Sequence, residues 1–161
     1  MDLEAEAIPP PWVAENLGFL LAKAGSMSAA LFRQELVPLG IRPRHYSVLS
    51  VLMHASQPCT QQMVAGCLEL EPSSLVSVID ELEERDLILR RRDPADRRCN
   101  ILVVTPRGQG IIDAARQVAR RLDDELFGEL TQRRRADLEV TLTAVAGTPG
   151  RRAPTRPATP S

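Results

Sequence analysis

The sequence predicts a mainly α-helical chain with one small β-hairpin. Three observations support this. Apolar residues recur at helical spacing over most of the 161 residues. The period changes to short β-branched runs only between residues 87 and 105. Prolines fall where helices start or stop, as at Pro38, Pro43, Pro58, Pro72 and Pro106.

The elements follow in order. Residues 1–11 end in Pro9-Pro10-Pro11 and read as a flexible arm. Leu17, Leu20, Ala24, Met27 and Leu31 then step by three and four along one helical face. Pro38 and Gly40 end that helix. A second helix spans 41–56, with Pro43 in its first turn. Residues 60–70 form a short helix that Thr60 caps. Residues 71–88 form the next, with Leu75, Ile79 and Leu82 buried and Glu81, Glu83, Glu84 and Arg85 solvated. Two short strands flank the turn chemistry of "DPADR". Thr105-Pro106 reads as a cap and a first-turn proline, opening a helix to about 127 striped by Ile111, Ala115, Val118, Leu122 and Leu126. A last helix, 131–146, aligns Leu138, Leu142 and Val145. Residues 147–161 have four prolines and no large apolar side chain, so disorder is expected.

The middle of the chain can bury its own stripes. The helices at 12–40 and 106–146 have stripes with little left to cover them. A second copy is the natural cover, so these stretches are expected to form a helical dimerisation region.

Composition narrows the function. Net charge is −1, yet Arg85 to Arg107 holds seven arginines against three aspartates. Nearly all the basic residues are arginine, which makes planar bidentate contacts to phosphate and guanine. Cys59, Cys67 and Cys99 suit neither a disulfide framework nor a zinc site, and no histidine follows His54, so no metal or other cofactor is expected. No Ser-His-Asp arrangement and no phosphate-cradling glycine loop is legible, so no enzyme is expected. The acidic beginning "MDLEAEAIPP" does not resemble a leader and no apolar run is long enough to cross a membrane, so a cytoplasmic location without membrane association is expected.

Helices 60–70 and 72–86 are a helix-turn-helix candidate. Its second helix begins with Ser73, Ser74 and Ser77, hydroxyls able to meet phosphates or base edges, and its acids come only from Asp80 onward. A basic hairpin directly after it reads as a wing, with Arg97 and Arg98 at the tip. Residues 41–105 are therefore expected to be a winged helix-turn-helix DNA-binding domain.

The stretch "DPADRR" followed by "NILVVTPRG" resembles the wing of the MarR family, the multiple-antibiotic-resistance-type regulators. The matching positions are Asp93, Asp96, Arg97, Arg98, Val104, Thr105 and Gly108. "LVPLGIRPRHYSVLSVL" and "LELEPSSLVSVIDELEERDLI" resemble the family's second helix and recognition helix, and the likeness runs over about residues 15–146. It implies a homodimeric transcription regulator, a repressor by expectation, on a pseudo-palindromic duplex operator. Thr60, Gln61, Ser73, Ser74, Ser77 and Arg91 would face DNA. Arg97 would enter the minor groove, held by Asp96, with Arg98 on phosphate. Family members often carry arginine where Ser77 and Glu81 stand, so fewer bidentate base contacts are expected here. The resemblance also implies release by a small aromatic or phenolic effector, in a pocket drawn from Trp12, Met27, Phe32, Arg44, His45, Tyr46 and Met53. Two other readings stand beside this one: a winged-helix protein-interaction module, and a thiol-based redox sensor.

Overall fold

A computed structural model describes residues 16–94 and 99–147. The flexible-arm and tail expectations, Trp12, and the wing-tip residues Asp96, Arg97 and Arg98 lie outside the described residues. Packing separates two units, one up to Leu122 and one from Asp123.

In the first unit, α1 (Leu17–Leu36) starts where the Asn16 side chain accepts the Phe19 N–H. A 3-10 turn (Val37–Leu39) follows and ends at Gly40, whose φ of 66° suits glycine. Helix α2 (Pro43–His54) begins on its proline. Cys59–Thr60 is a two-residue strand, β1. Helix α3 (Gln61–Leu68) is capped by Thr60, which accepts the Met63 N–H at 3.3 Å. Helix α4 (Pro72–Glu84) follows, then β2 (Ile88–Arg92), β3 (Asn100–Val104) and α5 (Pro106–Phe127).

The sheet is antiparallel in the order β1-β3-β2. The sequence predicted a two-stranded hairpin. The third strand is too short for any period, and it exists because β3 offers its free edge to Cys59 and Thr60, opposite Leu102 and Ile101. Helix α4 also stops earlier than 88. Asp86 turns left-handed, at φ 57°, and Leu87 returns its N–H to the Leu82 carbonyl, so the chain enters β2 at Ile88.

The core joins Leu36 of α1, Val48 and Leu49 of α2, Val64 of α3, Leu75, Ile79 and Leu82 of α4, Ile88 and Leu102 of the sheet, and Ile112 and Ala115 of α5. The buried face of α5 runs through Ile112, Ala115, Val118 and Leu122, with Ile111 only half-buried. Most of α1 stays outside: Leu17 is 81% and Met27 53% exposed.

In the second unit, the end of α5 leads into α6 (Gln132–Ala146). Thr131 caps α6 by accepting the Arg134 N–H, and Arg135 donates to Asp124 at 3.0 Å. No residue of α6 is buried.

Candidate nucleic-acid interface

Helices α3 and α4 meet through a tight turn. Glu69 adopts φ 51° and its N–H returns to the Gly66 carbonyl, while that of Leu70 returns to Ala65. Two residues later Pro72 opens α4, where its missing N–H costs nothing. Leu75, Val78, Ile79 and Leu82 face inward, which turns Ser73, Ser74 and Ser77 to the surface. The Ser77 hydroxyl donates to the Ser74 carbonyl at 3.3 Å, which leaves its lone pairs free to accept. Thr60 and Gln61, at the start of α3, are half-buried, and the Thr60 hydroxyl is spent partly on its cap.

The sheet sorts the arginines. Side chains alternate along β2, so Arg90 shares the face of buried Ile88. Its guanidinium pairs with both Asp80 and Glu83 of α4, and these carboxylates raise its pKa further. Arg91 points the other way and is exposed, opposite Ile101 of β3. Of the "RRR" run, then, Arg90 fastens the wing to α4 and Arg91 is free to face a ligand.

Thr105 and Gly108 anchor the hairpin to α5. The Thr105 hydroxyl donates to the Asp86 carbonyl at 2.7 Å and accepts the Gly108 N–H at 2.9 Å. A Cβ at Gly108 would collide with the Leu87 carbonyl. This explains physically why the motif needs threonine and glycine three apart.

Sequence reasoning placed Glu81 and Glu83 in solvent, but both are engaged. Glu81 pairs with Arg42 and lies 3.0 Å from His45 Nε2. His45 Nδ1 accepts the Arg42 backbone N–H at 3.2 Å. The neutral ring therefore carries its proton on Nε2 and donates it to Glu81. Burial lowers the His45 pKa below its ordinary 6.5, against the pull of Glu81. Arg42, with help from His45, holds the Glu81 carboxyl below its ordinary value. No local pattern could have revealed this, since the partners stand 36 and 39 residues apart.

Of the other effector-pocket candidates, Met27, Phe32, Arg44, Tyr46 and Met53 are among the described residues. Phe32 and Tyr46 stack edge-to-face with centroids 5.0 Å apart. Met53 lines a cavity of about 400 Å³ between the end of α2 and the sheet, with Leu52, Pro58 and Ile101. Arg44 lines a different one, near Ser77. Met27 lies exposed on α1.

Cys59 is buried, and burial pushes its thiol pKa up, opposite to what a reactive thiolate needs. Cys67 and Cys99 are exposed. No described helix is long and apolar enough to cross a membrane.

Comparison with known proteins gives a consistent picture. A MarR family sequence profile matches residues 39–98. A Thauera aromatica protein named for transcriptional regulation of the hcr operon is 30% identical over 128 residues, 78% of this chain and 76% of that protein. CouR of Rhodococcus jostii RHA1, solved bound to p-coumaroyl-CoA, superposes with a TM-score of 0.75 at 31% identity, covering 91% of this chain and 99% of that one. The repressor CouR bound to a 23-mer DNA duplex superposes with a TM-score of 0.76 at 30% identity, covering 84% and 96%.

Proposed function

The chain belongs to the MarR family of winged-helix transcriptional regulators and is not an enzyme, and from that premise we propose a homodimeric repressor that binds a pseudo-palindromic operator. The observation that carries this reading is the outward face of α4. Ser73, Ser74 and Ser77 stand exposed on the helix that follows the tight turn, and its first turn carries no acid. Arg91 on the adjoining strand extends the same chemistry, and by the resemblance Arg97 and Arg98 would meet DNA with Asp96 holding Arg97. The similarity to CouR, solved on duplex DNA, supports the mode of binding.

Each protomer would use residues 41–105 for DNA and the helices of 12–40 and 106–146 for its partner. Exposed Leu17, Phe19 and Met27 on α1, and Val140 and Val145 on α6, are the surfaces a second copy would cover. A small aromatic or phenolic effector would release the DNA. CouR, bound to an aromatic acyl thioester, supports an aromatic acid or its thioester as the class. A duplex partner sets the site of action in the cytoplasm.

An electrophoretic shift on the DNA flanking the protein's own gene tests the reading. The expected result is a saturable complex of one dimer, weakened by about 1–3 kcal/mol in Arg97→Ala. Binding no tighter than to random duplex at moderate salt would overturn it in favour of a protein-interaction module.

A further inference from the structure

Beside the recognition helix lies a pocket of about 370 Å³, lined by Arg33 of α1, Arg42, Pro43 and Arg44 at the start of α2, and Ser77, Val78 and Glu81 of α4. Its volume is at the low end of the roughly 300–1,000 Å³ of small-molecule sites. The charge in it is unbalanced. Three arginines and one glutamate line it, which leaves two positive charges uncompensated. Glu81 serves only Arg42 among them. Arg33 and Arg44 are exposed and make no ion pair or hydrogen bond with any described residue.

A solvated arginine is ordinary. Two unpaired ones lining one pocket with a third complement an anion. A monocarboxylate would leave charge over, and Glu81 already supplies one. A phosphate dianion matches the two remaining charges, and its oxygens accept the paired N–H groups that each guanidinium presents.

We propose that this pocket is a phosphate site in which the Glu81 carboxylate stands in for the ligand until a phosphate displaces it from Arg42. The incoming phosphate is held by Arg33, Arg42 and Arg44. Glu81 then keeps only the His45 N–H, so the ion pair that fastens α4 to the start of α2 is given up. The phosphate belongs either to a small molecule or to the DNA backbone. The site itself stands apart from the regulatory reading above; only the consequence for α4 on DNA rests on that reading.

The test uses the full chain and inorganic pyrophosphate as probe, titrated by calorimetry at low salt without DNA. Arg33→Gln/Arg44→Gln should weaken binding by at least about tenfold. Glu81→Gln should tighten it several-fold, because the resident competitor has lost its charge. Thermal melting of each variant, and Arg44→Gln alone as the mildest change, guards against misfolding. Equal behaviour of all three proteins, whether all bind or none does, overturns the site. Weakening in the arginine variant without tightening in Glu81→Gln overturns the stand-in role. The salt dependence of duplex binding then identifies the source. A slope reduced by about two in the arginine variant assigns the phosphates to DNA. An unchanged slope assigns them to a free ligand. Since pyrophosphate is titrated alone, failure of the operator shift would leave this result intact.

Discussion

The Thr105 hydroxyl accepts the Gly108 N–H at 2.9 Å while donating to the Asp86 carbonyl at 2.7 Å, so one side chain caps α5 and ties it to the turn leaving α4. The Thr105 N–H also reaches the Leu87 carbonyl, at 3.1 Å. Backbone groups of Asp86, Leu87 and Gly108 are thereby held around one buried residue.

Gly108→Ala should therefore be destabilising out of proportion to one methyl group. The added Cβ would meet the Leu87 carbonyl and also Val104 Cγ1, at 2.9 Å. The carbonyl belongs to backbone already held by Thr105 and cannot swing aside. Overpacking of this kind costs about 1–3 kcal/mol. For a chain of this size that is a fall in Tm of roughly 2–10 °C. A variant that melts with the wild type would show that α5 can shift away from Leu87.

Acid should loosen the link between α2 and α4 before ordinary carboxylates titrate. Burial lowers the His45 pKa below 6.5, so between the two values the unfolded chain binds the proton and the folded one does not. The stability from the neutral ring is fully present above 6.5 and is lost as pH falls toward the lowered value. Protonation would set an imidazolium beside Arg42 and Arg85, with Glu81 as the opposing charge. Glu81, held below 4.5, adds its own loss at lower pH. Melting temperature should thus fall from about pH 7 to 5 in the wild type and less steeply in His45→Gln. Parallel curves for the two proteins would remove His45 from the explanation.

The two neighbouring arginines of β2 should separate in their effects. Arg90 is tied to Asp80 and Glu83, so Arg90→Ala should cost about 1–2 kcal/mol of stability and leave the salt slope of DNA binding unchanged. Arg91 is exposed, so Arg91→Ala should leave stability alone and reduce that slope by about one. Denaturant melts and duplex titrations at several salt concentrations read both quantities. A reversed pattern would mean that the face of β2 toward Arg90 meets the DNA.

These contrasts mark where the sequence could be read and where it could not. Helix starts were legible because Thr60, Pro72, Thr105 and Pro106 act within three residues of themselves. The wing was legible because its motif is local. The role of Arg90 was available in principle: alternation puts it on the face of Ile88, but a run of like charges drew the eye to solvent. The third strand was not legible, since two residues carry no period. Nor was the Arg42–Glu81–His45 cluster, because its members come from helices whose approach depends on the whole core. Arg33 gave no sign at all, being one arginine on a helix, and only the pocket beside Ser77 distinguishes it.

Helix α6 buries no residue, yet its Val140 is 70% and Val145 55% exposed, with Leu142 at 38%. Isolated apolar residues on a surface are ordinary, but a helix with apolar side chains and no buried face is not held by packing against the described residues of its own unit. Its caps and the Arg135–Asp124 pair are each worth too little to keep so short a helix formed in water. In the homodimer proposed above, a second copy would supply the missing cover. Val140→Glu/Val145→Glu should then shift the protein toward monomer and weaken operator binding, because two half-sites are no longer held together. Truncation before Thr131 should have the same effect. Light scattering reads the mass directly. A dimer that survives both changes would place the interface elsewhere, with exposed Leu17, Phe19 and Met27 of α1 the next surface to mutate.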